Sequence, residues 1–110
     1  MSAFLCNSGG GASDDDLQKL EAEIMELIGD AEASDLQFCH AIAFGSKPCG
    51  GPWRYLVYSS EHTDSTLLRS KVDRYNRLQA EINREQGLVS DCALAVKPTV
   101  GYADGRCVAE

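Results

Sequence analysis

The chain has 110 residues, 44% of them hydrophobic and 25% charged, with a formal net charge of −7. That is one globular domain, neither disordered nor long enough for two. An acidic chain without a basic stripe has no grip on phosphates, which argues against nucleic acid and anionic membrane surfaces as partners, and no run of about 20 apolar residues exists to cross a bilayer.

The chain opens on MSAFLCNSGGGASDDD. Residues 1–12 have the Gly/Ser composition of a flexible leader or tether, and the folded domain is expected over 13–110. Cys6 admits two readings. It is either the lipidated cysteine at the trimmed end of a bacterial lipoprotein signal or an incidental free thiol. A missing apolar h-region and the large Leu5 before it weigh against the first.

Ser13 is a suitable N-cap, and Asp14, Asp15 and Asp16 in the turn after it complement the positive end of a helix dipole. Leu17, Leu20, Ile24, Leu27 and Ile28 then fall on one helical face, and Gly29 is a natural stop. Residues 14–35 hold nine acids against Lys19, so the other face of this helix is acidic and solvated.

LQFCHAIAF (36–44) is apolar on both alternating tracks, as an inner strand covered on two sides would be. GSKPCGGP is a turn by composition, and WRYLVYSS is a second, aromatic-rich strand, suggesting an antiparallel pair. A long helix follows, capped by Thr63, Asp64 or Ser65, with Leu68, Val72, Tyr75, Leu78 and Ile82 as its apolar stripe and Gly87 as its end. LVSDCALAV is a candidate third strand. Asp104-Gly105 marks a closing hairpin that sets Tyr102 opposite Cys107. The fold class is therefore α+β, with order α-β-β-α-β-β and a further strand in doubt. Both helices are expected to bury their stripes on one face of a small antiparallel sheet.

Apart from Cys6 there are four cysteines, with nine, forty-two and fourteen residues between successive members. An even number in a small domain reads as two disulfides in an oxidising compartment. Structural zinc favours close pairs such as C-x2-C, and none occurs. The short-loop pairing Cys39–Cys49 and Cys92–Cys107 is expected among three connectivities, each loop enclosing a turn.

Candidate chemistry is sparse. Cys39 and His40 are strand neighbours and point to opposite faces, so they form no thiolate–imidazole pair; His40 is expected as a hydrogen-bonded core or edge residue. SSEHTDS (59–65) contains Ser, His and Asp, but seven polar residues between a strand and a helix are first a loop with an N-cap. No phosphate loop, dinucleotide fingerprint or metalloprotease helix is present, and no motif implies a cofactor.

SKPCGGPWR (46–54) carries most of the functional interest. Pro48 and Pro52 fix two φ angles, Gly50 and Gly51 reach conformations closed to other residues, and a bonded Cys49 would pin the middle. Rigid exposed loops suit binding, since little entropy is lost on association. Lys47, Pro48, Gly50, Gly51, Trp53 and Arg54 are the candidate binding residues. Trp53 is expected as a partly buried anchor, and Lys47 with Arg54 as a small basic patch for an acidic protein partner. A lysine beside a pinned loop also suggests an inhibitor. The plain alternative is a stapled turn that starts a strand.

KPCGGPWRYLVYS, YNRLQAEIN, SDC at 90–92 and the closing DGRC together resemble a group of small bacterial exported proteins or lipoproteins of unknown function. The likeness spans roughly residues 36–107, and Lys47–Pro52 is its most specific part. It implies export and conserved cysteines, and no activity. The expected function is thus a non-catalytic extracytoplasmic binding module, periplasmic, lipid-anchored or secreted. A small enzyme and a zinc-binding structural protein are the alternatives.

Overall fold

A computed structural model describes residues 14–110. The expected Ser13 cap, the leader and Cys6 lie outside the described residues. Helix α1 covers Asp14–Ile28, a 3-10 turn covers Leu36–Phe38, and strands β1 (Cys39–Phe44) and β2 (Arg54–Ser59) follow. Helix α2 covers Ser65–Gln86, and β3 (Val100–Ala103) and β4 (Arg106–Ala109) close the chain.

The α+β order is the expected one, and the periodicities that predicted it bury the residues they should. Leu17, Leu20 and Ile24 of α1 meet Leu68, Val72, Tyr75 and Ile82 of α2, with Leu78 partly buried beside them. Asp64 is the α2 cap; its carboxylate accepts from the Thr66 and Leu67 N–H groups at 3.0 and 3.1 Å. Gly87 ends the helix in the left-handed region (φ 61°), and Leu88 N–H returns to Asn83 O at 3.0 Å. This closure satisfies carbonyls the helix would otherwise leave open.

β1 and β2 pair antiparallel with His40 opposite Tyr58, Ile42 opposite Leu56 and Phe44 opposite Arg54. Alternation puts these six on one face. That face supplies Phe44, Leu56 and Tyr58 to the main core beneath the helices, and Phe44 stacks on Tyr75 with centroids 4.4 Å apart. The opposite face presents Cys39 and Val57 to a second cluster of Ala31, Ala33 and Cys107. β1 is therefore covered on two sides, as its doubly apolar sequence required.

Two expectations are corrected. The strands form two separate two-stranded sheets, β1-β2 and β3-β4, and LVSDCALAV is not a strand. From Leu88 to Thr99 the chain runs without helix, strand, turn or bend. Cys92, Asp91 and the Ala93 carbonyl tie the start of this run to the 46–49 loop, and it pairs with neither sheet.

The disulfides are Cys39–Cys107 and Cys49–Cys92, with Cα–Cα distances of 5.3 and 5.4 Å. The Cys39–Cys49 and Cys92–Cys107 pairing is overturned by strand geometry. Cys39 opens β1, while Cys49 lies past its other end. Six extended residues separate strand ends by roughly 17 Å, and a disulfide spans about 4.4–6.8 Å between Cα atoms. The observed bridges close loops with sequence separations of 68 and 43, each worth about 4 kcal/mol in the chain-entropy account. Two disulfides place the fold in an oxidising, extracytoplasmic setting. Among the described residues no helix is long and apolar enough to cross a membrane.

Candidate functional site

The 45–53 loop is built against α2. Trp53 N–H donates to Phe44 O at 3.0 Å and closes its base, while Lys47 N–H to Gly51 O and Gly50 N–H to Lys47 O, both 2.9 Å, fold its tip. Gly50 and Gly51 have φ of 107° and 81°, which side chains rarely adopt. Three amides along one line of α2 then hold the loop down. Asn76 Oδ1 accepts from Gly45 N–H at 2.7 Å, Gln79 Oε1 accepts from Ser46 N–H at 2.6 Å, and Asn83 Nδ2 donates to Ser46 O at 2.8 Å. Their spacing of three and then four residues is that of one helix face. It sits next to the apolar stripe in the sequence, a signal the sequence reading passed over.

Gly45 is where the loop tolerates no side chain. Its φ is 91°, and a Cβ there would lie 2.9 Å from the Trp53 ring and 3.1 Å from Gln79 Oε1. Trp53 itself is 44% exposed, less an anchor in the core than a lid over Gly45 and Lys47, whose ammonium lies 5.1 Å from its ring centroid.

Lys47 is not part of an exposed patch. It is 8% exposed; its Nζ donates to Asp91 Oδ1 at 2.9 Å and to Ala93 O at 2.7 Å. Burying the charge demands such partners. The hydrogen bond and charge of Lys47, helped by Ala93 N–H, hold the Asp91 carboxyl below its ordinary value. Arg54 is exposed as expected but pairs with Glu21 at 3.1 Å. The expected Lys47–Arg54 basic patch therefore does not form: one cation is buried and both are neutralised. A buried Lys47 also cannot enter a protease's specificity pocket, which removes the feature that suggested an inhibitor.

Between this loop and the end of α2 lies an open cavity of about 430 Å³, lined by Ser46, Lys47, Pro48, Ala80, Asn83, Arg84, Gly87 and Leu88. A second, more apolar depression of about 180 Å³ shares Pro48 and Leu88 and adds Cys49, Val89 and Ser90. Leu88 and Val89 are 45% and 90% exposed. Arg84 is exposed and, unlike Lys47 and Arg54, has no carboxylate partner among the described residues. Of the expected binding residues, Lys47 and Pro48 line the cavity; Gly50, Gly51, Trp53 and Arg54 do not. Arg84 and Leu88 were not foreseen.

The remaining candidates resolve into structure. Ser59 is fully buried, Asp64 caps α2, and His62 is exposed. His40 is an exposed edge residue with Nε2 3.0 Å from Ser60 Oγ. The Ser60 hydroxyl also lies 3.3 Å from Phe38 O, which ties this histidine to the strand end. Cys39, Cys49, Cys92 and Cys107 are all oxidised, which excludes them as zinc ligands, and no group of three or more His, Cys, Asp or Glu converges among the described residues.

The fold and site define a disulfide-stapled α+β domain with a pinned loop and a groove beside it. Compared with known protein families, characterised proteins and solved structures, the chain matches none.

Proposed function

We propose that this domain is a non-catalytic, extracytoplasmic binding module that takes a peptide segment of a protein partner into the groove between the 46–48 loop and the end of α2. The observation that carries this reading is Arg84, which has no carboxylate partner among the described residues, beside the apolar Pro48 and Leu88 in a cavity of about 430 Å³. A cation next to apolar surface fits a segment with one apolar side chain and one carboxylate, and the volume lies in the range of about 300–1,000 Å³ usual for ligand sites. The disulfide and the three α2 amides preform the loop, so little ordering is lost on binding. Export, whether to a periplasm, to the medium or to a membrane through a lipid on Cys6, agrees with the two disulfides.

The test is to pan a random peptide library against the immobilised protein. Enriched peptides should carry a carboxylate near an apolar residue. Their binding should fall at least tenfold in Arg84→Ala and in Leu88→Ser and stay unchanged in Arg54→Ala. No enrichment, or peptides indifferent to Arg84 and Leu88, would overturn the reading.

A further inference from the structure

The stretch after the groove has a separate property. From Leu88 to Thr99 the chain has no bend. It is held at one end by Cys49–Cys92 and by Lys47, and at the other by Glu110 N–H donating to Thr99 O. Between these ties Leu94 and Val96 are 83% and 85% exposed. They alternate, so on an extended chain they share one face.

The backbone here is open on one side. Ala93 spends its N–H on Asp91 Oδ1 and its C=O on Lys47. In extended chain each residue aims both groups at one edge and its neighbour aims at the other. The backbone groups of Leu94 and Val96, by contrast, make no hydrogen bond among the described residues. An ordered edge with free donors and acceptors and apolar side chains is a template for strand pairing.

We propose that this edge pairs antiparallel with the same edge of a second copy, about a two-fold axis at Leu94. Charge selects both the occupant and the register. Centring the pair on Leu94 sets Asp91 of each copy opposite Lys97 of the other, as an opposite-charge cross-strand pair. No other antiparallel register does so, and a parallel pair would put like charges side by side. Lys97 makes no ion pair within the described domain, and the Asp91 side chain is 66% exposed despite its bond to Lys47. Pro98, lacking an N–H, ends the ladder and keeps the contact a closed dimer. The residues differ from those of the groove, so this inference stands or falls apart from the binding reading.

Sedimentation of the full chain in a Cys6→Ser background should show a concentration-dependent mass rising toward twice the 11.9 kDa of one chain. Leu94→Lys should return it to a monomer whose melting temperature equals the parent's at dilutions where the parent is itself monomeric, and Lys97→Glu should weaken the dimer. Mild oxidation of Leu94→Cys should give a covalent dimer, because directly paired Cα atoms lie about 5.5 Å apart. Val96→Cys should not, since its two copies would be roughly 13 Å apart along the strands. A single-chain mass at every concentration would overturn the proposal. So would a dimer indifferent to Leu94→Lys, or equal cross-linking at 94 and 96.

Discussion

The Lys47 ammonium lies 2.9 Å from Asp91 Oδ1, joining segments 44 residues apart, and all but 8% of the lysine is covered. Together with Cys49–Cys92 this contact makes the 46–54 loop and the 88–93 run a single unit. Each would otherwise be a loop over the surface.

Lys47 and Arg54, the two cations of the loop, should differ sharply on truncation. Lys47→Ala removes two charge-assisted hydrogen bonds and the packing under Trp53 and should cost about 1–3 kcal/mol. Arg54→Ala breaks a half-exposed pair with Glu21 and should cost no more than about 0.5 kcal/mol. Urea denaturation of the two variants checks this; equal losses would contradict it.

Gly45 should be the most demanding glycine of the loop. Gly45→Ala meets both a left-handed φ and a side chain 2.9 Å away, whereas Gly50→Ala meets a left-handed φ in open space. The backbone strain alone is worth about 1–3 kcal/mol. Gly45→Ala should therefore lower the melting temperature more than Gly50→Ala, and Trp53 fluorescence should change only in the former.

Acid should loosen the 88–93 run selectively. The Asp91 carboxyl is held low by Lys47, so its folded-state pKa lies below its unfolded one. Its contribution to stability is complete above the unfolded value and is lost as pH falls through the folded value. Amide exchange of Cys92 and Ala93 should accelerate relative to α2 below about pH 4, and Asp91→Asn should show the faster exchange already at neutral pH. Uniform acceleration across the domain would contradict this.

Much of the architecture was legible because it is written in local pattern. The apolar stripes of both helices, the glycines that stop them, the Asp64 cap and the Asp104-Gly105 hairpin all act over a turn or two of chain. The disulfides were not legible in the same way, since Cys107 meets Cys39 only once β4 lies against β1. Alternation at Leu94 and Val96 imitates a strand, and nothing nearby in sequence shows that Asp91 and Cys92 are bound to the 46–49 loop instead. Lys47 was misplaced for a related reason: its partners are 44 and 46 residues away. The Asn76, Gln79, Asn83 line could have been found, as three amides at helical spacing beside an apolar stripe.

Connectivity can be checked directly. Non-reducing peptide mapping should yield Cys39–Cys107 and Cys49–Cys92 peptides. Cys49→Ser/Cys92→Ser should lower stability by about 4 kcal/mol on the chain-entropy estimate and release the 88–93 run from the loop, visible as protease cleavage after Leu88 that the parent chain resists.

The central claim is that the pinned loop and the end of α2 form a preformed peptide groove. Chemical-shift mapping of the isotope-labelled protein with a library-selected peptide tests it most directly. The account predicts perturbations concentrated at Ser46, Ala80, Asn83, Arg84 and Leu88, with the loop amides changing little in position because they are already held. Perturbations confined to the β3-β4 hairpin or spread over the exposed face of α1, with Arg84 and Leu88 unmoved, would contradict it.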